Sequence, residues 1–516
     1  MDSPSPHHDR RWLMLPVLCL SVFLVVVDNT IVNVALPSLN NDLGASITQL
    51  QWIVDAYSLA FAGLLLAGGG VGDRLGRKGV MQVGLVFFGV FSLLAALSTS
   101  TGQLIAARAL MGMAAAFVFP ATLAILTSVF TNPSERQKAL GIWGATSGLA
   151  VAFGPITGGA LLEHYWYGSI FLVNIPLVLI TLVLGQILIP KIARPHLHRF
   201  DTRGVLISTL GVTLLVLAII QGPQWGWSSV TTLVCFAAAA VILGTFVLVE
   251  LRTPEPLLDV RVFAIAKFSA GAMAIAVSFF CLFGFIFLIT QYFQFVKGYS
   301  TLSAGVHTLP FAIVSAVFTP IGAILALKVG IRLVSGIGLL SMAAGLVIVA
   351  LNGTPDAPYF GWILLSMVCL ALGLSFNTAP ATEAVMSALT PEQMGAGAAV
   401  NNTTRELGGT LGVAVIGSVF ASSYGPKIAS ALHGLPIPAE AKSAAGQSIA
   451  AALSVVRHAP AGVQPTIRST VDQAFSSGLE VACLVAAGVA VLGALVSFRF
   501  LPSRAERPDG ASITIH

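Results

Sequence analysis

Charge is what this 516-residue chain has least of: Lys, Arg, Asp and Glu together make up 9% of it, against roughly 25% in a soluble globular protein. So few charges cannot cover a soluble particle of this size, which excludes a soluble enzyme and a disordered scaffold. Cysteine is scarce too. The five, Cys19, Cys235, Cys281, Cys369 and Cys483, are odd in number, lie in apolar runs and form no CxxC pair. Neither a disulfide framework nor a zinc site is therefore expected. No His cluster, nucleophile elbow or phosphate loop stands out, so no enzyme chemistry, metal or cofactor is anticipated. Apolar residues, by contrast, make up 56% of the chain, and the mean hydropathy is +0.90. This is the composition of an all-α polytopic membrane protein whose first partner is the lipid bilayer.

A helix that crosses a bilayer needs about 20 mainly apolar residues. Fourteen stretches qualify, at approximately 12–35, 50–71, 80–98, 102–126, 139–161, 168–190, 204–221, 230–250, 267–293, 303–327, 331–351, 360–386, 397–421 and 478–501. The first follows Arg10-Arg11 but has no clear small-residue cleavage site, so it is a span rather than a signal peptide. Lys and Arg gather on one side: Arg74, Arg77, Lys78, Arg136, Lys138, Arg252, Arg261, Lys328, Arg332 and Arg499 are among them, while the short loops opposite hold only Lys297. This bias and the even span count place both termini in the cytoplasm, in a cytoplasmic (inner) membrane. The net charge of +5 is then a topology signal, and no nucleic-acid partner is implied. Segment 422–477, rich in Ala and Ser, is expected as a long outer loop: a partly ordered cap with a short amphipathic helix near 443–456.

Two strings recur. Pro120-Ala121-Thr122 in span 4 returns as Pro380-Ala381-Thr382 in span 12, and Asp73-Arg74-Leu75-Gly76-Arg77-Lys78 has a degraded echo in Leu327-Lys328-Val329-Gly330-Ile331-Arg332. Both pairs are offset by eight spans and keep one orientation. The economical account is two parallel six-helix bundles, residues 1–195 and 263–516, with two inserted helices in 196–262. Parallel repeats related by an axis along the membrane normal are a transporter architecture with the substrate site between the halves.

Span 1 carries Asp28-Asn29-Thr30-Ile31-Val32-Asn33-Val34-Ala35-Leu36-Pro37, and the next cytoplasmic turn Gly69-Gly70-Val71-Gly72-Asp73-Arg74-Leu75-Gly76-Arg77-Lys78. Span 4 carries Arg108-Ala109-Leu110-Met111-Gly112, span 5 Gly154-Pro155-Ile156-Thr157-Gly158-Gly159, and span 13 Asn401-Asn402-Thr403-Thr404-Arg405-Glu406-Leu407-Gly408-Gly409. In this order these strings resemble the major facilitator superfamily, and within it the fourteen-span drug:proton antiporters of the quaternary ammonium, EmrB-type branch. The resemblance covers nearly the whole chain. Two positions depart from the family pattern: Met111 stands where Gln is usual, and Ala150 where Gly is usual. The resemblance implies a major facilitator fold, a conformational latch at Gly69, Asp73, Arg74, Gly76, Arg77 and Lys78, and an exporter motif at Gly154, Pro155, Gly158 and Gly159. On the residues alone, the alternative for the latch string is a positive-inside anchor, and for the glycine string a packing kink.

Ionisable groups at bilayer depth cost about 2.5–3.5 kcal/mol on insertion scales and are functional candidates by default. Helical rise puts Asp28, Asp55 and Arg108 at similar levels in the outer half of the first bundle. Arg405 and Glu406 lie near the midplane of span 13, whereas Glu383 and Glu480 read as interfacial charges. Asp28, Arg108, Glu406 and Asp55 are the expected proton-coupling groups; the alternatives are a permanent Asp28–Arg108 pair for Asp28, a structural partner for another helix for Glu406 and a solvated carboxylate for Asp55. His307 reads as a neutral, hydrogen-bonded histidine. Asn33, Tyr57, Phe117, Phe119, Trp143, Tyr292, Phe376 and Asn401 are expected to line the substrate cavity, the aromatic faces attracting cations, with lipid-facing packing an equal account of any single ring. The whole implies a monomeric exporter that exchanges protons for amphipathic, often cationic small molecules by alternating access. An exporter of an endogenous lipid or metabolite, or a transport-inactive receptor or scaffold on the same fold, are the alternatives.

Overall fold

The computed structural model describes residues 7–190 (44 and 46 apart), 201–254, 256, 258–390, 393–433, 438, 442, 445–446, 449–458 and 463–503. A backbone in hydrocarbon finds no water to bond, so apolar runs close their hydrogen bonds internally as helices. Among the described residues, fourteen helices are long and apolar enough to cross a membrane. Spans 1 to 7 are Arg11–Val32, Trp52–Leu75, Arg77–Ala96, Thr101–Val129, Pro133–His164, Ser169–Leu188 and Thr202–Gly222. Spans 8 to 14 are Val230–Glu250, Ala266–Val296, Leu302–Val329, Ile331–Asn352, Tyr359–Met386, Gly397–Ser430 and Gln464–Phe500. Side-chain caps start several of them: Ser100, Ser229 and Ser300 accept from the amides of Gln103, Thr232 and Ser303, and Asn132 and Asp201 from those of Ser134 and Gly204. Such caps satisfy amides that have no partner inside the helix. Large apolar side chains point outward, with Val230 78%, Ile187 73% and Val241 68% exposed, as a lipid-facing surface requires.

The packing repeats. In the first bundle span 2 lies on span 4, span 1 on span 5, and span 3 on spans 4 and 6. In the second, span 10 lies on span 12, span 9 on span 13, and span 11 on spans 12 and 14. The bundles meet through two matched seams, span 5 on span 10 and span 13 on span 2. Gly76 and Gly330, equivalent in the repeated string, both take positive φ, 102° and 97°, at the turns that start spans 3 and 11. Only glycine adopts that backbone without steric cost. The fold is thus all-α, with two helix bundles and inserted helices. Spans 7 and 8 pack on each other, and span 7 lies close against span 2, where a Cβ on Gly63 would fall 2.1 Å from Thr213 Oγ1. Trp227, just past span 7, donates from Nε1 to Ser418 Oγ of span 13 at 2.7 Å.

Segment 422–477 differs from expectation. The span 13 helix runs Met394–Ala431 and the span 14 helix starts at Gln464, so much of the expected loop is helix projecting beyond the apolar stretches. Between them Ile449–His458 is helical, with Ile449, Ala452 and Val456 buried. Hydropathy marks where a helix leaves the bilayer and carries no information on where it ends.

Candidate functional site

The first bundle is built around one buried ion pair. Arg108 Nη1 lies 2.6 Å from Asp28 Oδ2, and both side chains are wholly buried. Arg108 Nε donates to the Ile53 carbonyl at 3.2 Å, and its guanidinium lies over the Tyr57 ring at 4.2 Å. Asn174 Nδ2 donates to Asp28 Oδ1 at 2.8 Å and to Ser92 Oγ at 3.0 Å. Spans 4 and 6 therefore meet the span 1 carboxylate directly, and spans 2 and 3 join the cluster through Arg108 and Asn174. A buried pair with further hydrogen bonds on both partners is the arrangement in which the cost of desolvating two charges can be recovered. Glycine makes the approach possible: a Cβ on Gly112 would fall 2.3 Å from the Tyr57 carbonyl oxygen. Asp55, two residues from Ile53, is half-buried and takes no hydrogen bond or ion pair among the described residues. Tyr57, expected at the cavity, is fully buried, with its hydroxyl donating to Val25 O at 3.2 Å. The second bundle repeats the link between its first and fourth helices without charge. There Asn377 of span 12 donates to Ala274 O at 2.9 Å and Ser278 Oγ at 2.6 Å on span 9, and accepts from Ser335.

The glycine string of span 5 packs beside the acid. A Cβ on Gly154 would fall 2.0 Å from Thr30 Oγ1, and one on Gly158 2.8 Å from Ile31 Cγ1. Gly159 faces Leu302 on span 10, and Gly305 of span 10 faces Pro155. The helix runs unbroken through Pro155, so the string acts by close approach to span 1 and to the partner bundle rather than by a break.

On the lysine- and arginine-rich face, Arg77 Nε donates to Asp73 Oδ1 at 2.8 Å across the Gly76 turn. Its Nη1 reaches the Ala124 carbonyl at 3.3 Å and Ser128 Oγ on span 4. Lys78 caps the end of span 6 through the carbonyls of Gln186 (2.9 Å) and Ile189 (2.7 Å). Gly69 and Arg74 lie in the last turns of the span 2 helix. An ionic contact joins the two bundles on this face: Arg136 at the start of span 5 donates from Nε to Glu383 Oε2 of span 12 at 2.9 Å and from Nη2 to Oε1. Beside it Arg11 Nη1 lies 2.8 Å from Glu135 Oε2.

Between these levels lies Arg405. On span 13, Gly408 and Gly412 press against the span 9 backbone, where a Cβ would fall 2.4 Å from Ala276 O and 2.2 Å from Phe280 O. Arg405, three residues before Gly408, shares that face. Its guanidinium carbon lies 4.4 Å from the Phe279 ring centroid, 5.1 Å from Trp143 and 5.9 Å from Phe119. Glu406 points about 100° round the helix; it is half-buried and takes no hydrogen bond or ion pair among the described residues.

The remaining expected cavity residues scatter. Phe117 is half-buried between glycines of spans 2 and 3, and Tyr292 is buried near the far end of span 9, bonded to Thr354 O at 2.6 Å. Phe376 packs on Phe318 and against glycines of spans 10 and 11. Asn401 is buried with Oδ1 unpartnered. The side chain of Asn33 lies outside the described residues. Ser92, Asn174, the Arg136–Glu383 pair and the ring cage around Arg405 were not anticipated. His307 Nδ1 lies 2.7 Å from Ser303 O, and its ring stacks on Tyr299 at 4.3 Å. The five cysteines are free, and among the described residues no three His, Cys, Asp or Glu side chains converge as metal ligands.

A family model described as Major Facilitator Superfamily matches residues 18–413. Relatives align over almost the whole chain. A multidrug efflux pump, LfrA, of Mycolicibacterium smegmatis is 35% identical over 95% of this chain and 97% of its own. A methyl viologen resistance protein, SmvA, of Salmonella typhimurium is 33% identical over 96% and 99%. Among solved structures, the human organic anion transporter MFSD10 superposes with a TM-score of 0.64 over 96% of this chain and 100% of its own, at 13% identity. That last likeness concerns the fold alone.

Proposed function

Because the chain belongs to the major facilitator superfamily, we propose that it is a proton-coupled exporter of amphipathic, often cationic compounds. It belongs, on this reading, to the EmrB-type drug:proton antiporters and works as a monomer in the inner membrane with both termini in the cytoplasm. Two units, residues 1–195 and 263–516, rock about the site between them, and the helices in 196–262 flank the span 2 and span 13 seam. Export of small molecules is supported by relatives that carry efflux and resistance in their names over nearly full length.

The observation that carries the proton-coupled part is the buried cluster of Asp28, Arg108 and Asn174. Asp28 accepts from both neighbours, so its carboxylate is fixed in place by Arg108 and Asn174. A proton on Asp28 removes the charge that holds Arg108, and Arg108 in turn holds span 2 through Ile53 O and the Tyr57 ring. Protonation is thereby converted into a loosening between spans 1, 2 and 4. Asp55, at the same level on span 2, supplies a carboxylate on the route to water. Closing of the cytoplasmic side rests on the Asp73–Arg77 turn and the Arg136–Glu383 pair, and Gly154, Pro155, Gly158 and Gly159 let span 5 slide on span 1 and span 10. One proton entering for one monovalent cation leaving moves no net charge, whereas each uncompensated charge meets about 2.3 kcal/mol per 100 mV. Glu406 is the second acid that a dication requires.

The test is dye transport in vesicles of purified protein with the membrane potential clamped at zero and a pH gradient imposed. Accumulation of a monovalent quaternary ammonium dye that collapses with the pH gradient is the expected result. Dye binding without gradient-driven flux makes the protein a receptor.

A further inference from the structure

We propose that Arg405 is a built-in surrogate cation: its guanidinium fills an aromatic cage of Phe119, Trp143 and Phe279 that the cationic aryl or quaternary ammonium group of a transported compound takes in its place. This deepens the exporter reading and rests on it.

The cage is drawn from both bundles. Phe119 and Trp143 come from spans 4 and 5, and Phe279 from span 9. All three centroids lie within 6 Å of the guanidinium carbon, at 5.9, 5.1 and 4.4 Å, the range over which ring quadrupoles attract a cation. The rings are held independently of Arg405. Trp143 Nε1 donates to Thr122 Oγ1 at 3.2 Å, and Thr122 donates to Phe119 O at 2.7 Å. Phe119 stands edge-on to Phe61 at 5.7 Å, and Phe279 stacks on Phe283 at 6.1 Å. Three rings braced in this way form a receptor for a flat or rounded cation whether or not Arg405 is in it.

Arg405 itself is held weakly for so buried a group. It is 6% exposed, and its Nη1 has no hydrogen-bond partner. Arg108, 0% exposed, also has one unpartnered nitrogen, Nη2, but its other partners are a carboxylate, a carbonyl and a ring. A guanidinium that takes its partners from ring faces is one that another cation can replace on equal terms. The neighbouring Glu406, with no ion pair of its own, offers the displaced guanidinium a new position. The exchange leaves the cage with one cation before and after, so a monovalent compound enters without changing its charge. In the empty protein Arg405 bridges the bundles; in the loaded protein the compound does. Arg405 therefore sets a threshold that only strongly ring-binding cations pass.

The experiment is a titration of ethidium, followed by fluorescence anisotropy, against the purified full-length protein in lipid nanodiscs, with fluorescein as an anionic counterpart. Arg405→Gln is expected to bind ethidium about tenfold more tightly than the parent, and Arg405→Lys close to the parent. Phe279→Leu, which leaves Arg405 in place, is expected to weaken binding about tenfold, and it carries the test if Arg405→Gln does not fold. Unchanged or weaker ethidium binding in folded Arg405→Gln, or unchanged binding in Phe279→Leu, overturns the proposal. So does fluorescein binding to the parent that Arg405→Gln abolishes, which makes Arg405 an anion receptor. Ethidium transport by the parent under a pH gradient separates the two levels. If the parent transports ethidium and the variants behave as in these overturning outcomes, the surrogate role falls and the exporter reading stands. If the parent neither binds nor transports any of a set of cationic dyes, both fall.

Discussion

Arg136 and Glu383, 247 positions apart, form a two-armed ion pair that ties span 5 of one bundle to span 12 of the other, with side chains 12% and 8% exposed. It lies at the end of the molecule where Arg77 and Lys78 also sit, so it links the bundles at that face. Around it Gly141 packs on Pro320 and Ala323, and Gly144 on Thr319 and Thr378.

Removing one arm should therefore open that face. Glu383→Gln leaves Arg136 without its charge partner, a loss of about 1–3 kcal/mol for a partly buried charged hydrogen bond. In a chain with its native cysteines replaced, an Ala323→Cys reporter should then label at least several-fold faster with an impermeant thiol reagent applied from the Arg77 side. The exchange Arg136→Glu with Glu383→Arg should return labelling toward the parent rate. An unchanged rate in Glu383→Gln shows that the pair does not gate access.

Glycines that look alike in sequence should differ in their tolerance of a methyl group. At Gly112 a Cβ meets the Tyr57 carbonyl oxygen at 2.3 Å, whereas at Gly72 nothing lies within 4 Å. Gly112→Ala must separate spans 2 and 4 and lift Tyr57 from Arg108, a cost of about 1–3 kcal/mol by overpacking. Gly72→Ala, inside the span 2 helix, should be neutral or stabilising by about 0.5–1 kcal/mol. Thermal unfolding of the two variants in one detergent checks this; equal melting temperatures contradict it.

Glu406 should matter in proportion to the charge of the compound. Glu406→Gln is expected to reduce efflux of a divalent quaternary ammonium dye more than that of a matched monovalent one, while loss of Asp28 reduces both. Efflux from vesicles with potential and pH gradient set separately makes the comparison. An equal loss for both dyes assigns Glu406 a general structural role.

The spans, the repeat and the level shared by Asp28 and Arg108 were all legible in the sequence, because hydropathy and helical rise set depth directly. Depth is not contact, however. Asn174 and Ser92 sit in apolar runs where one small polar residue attracts no notice, and only folding shows that Asn174 reaches Asp28 while Ser92 accepts from Asn174. Glu383 lies at a span end, where a charge reads as interfacial; its partner is fixed by how the bundles face each other, which no local pattern encodes. Phe119 and Trp143, expected at the cavity, face Arg405 of the other bundle, whereas Tyr57 and Tyr292, expected there with them, have other partners. Telling them apart requires the azimuth of each helix within the assembled pair.

The central claim is that Asp28 carries the proton. It is tested most directly by comparing two modes of transport in the same vesicles, for the parent and for Asp28→Asn. Dye-for-dye exchange needs the two bundles to rock but no proton to turn over, whereas net dye movement under a pH gradient needs both. Arg108 in the variant keeps the Ile53 carbonyl and the Tyr57 ring, so the bundle stays assembled. The account predicts that Asp28→Asn retains exchange and loses gradient-driven transport down to the level seen without a gradient. Gradient-driven transport at the parent rate, or loss of both modes together, would contradict it.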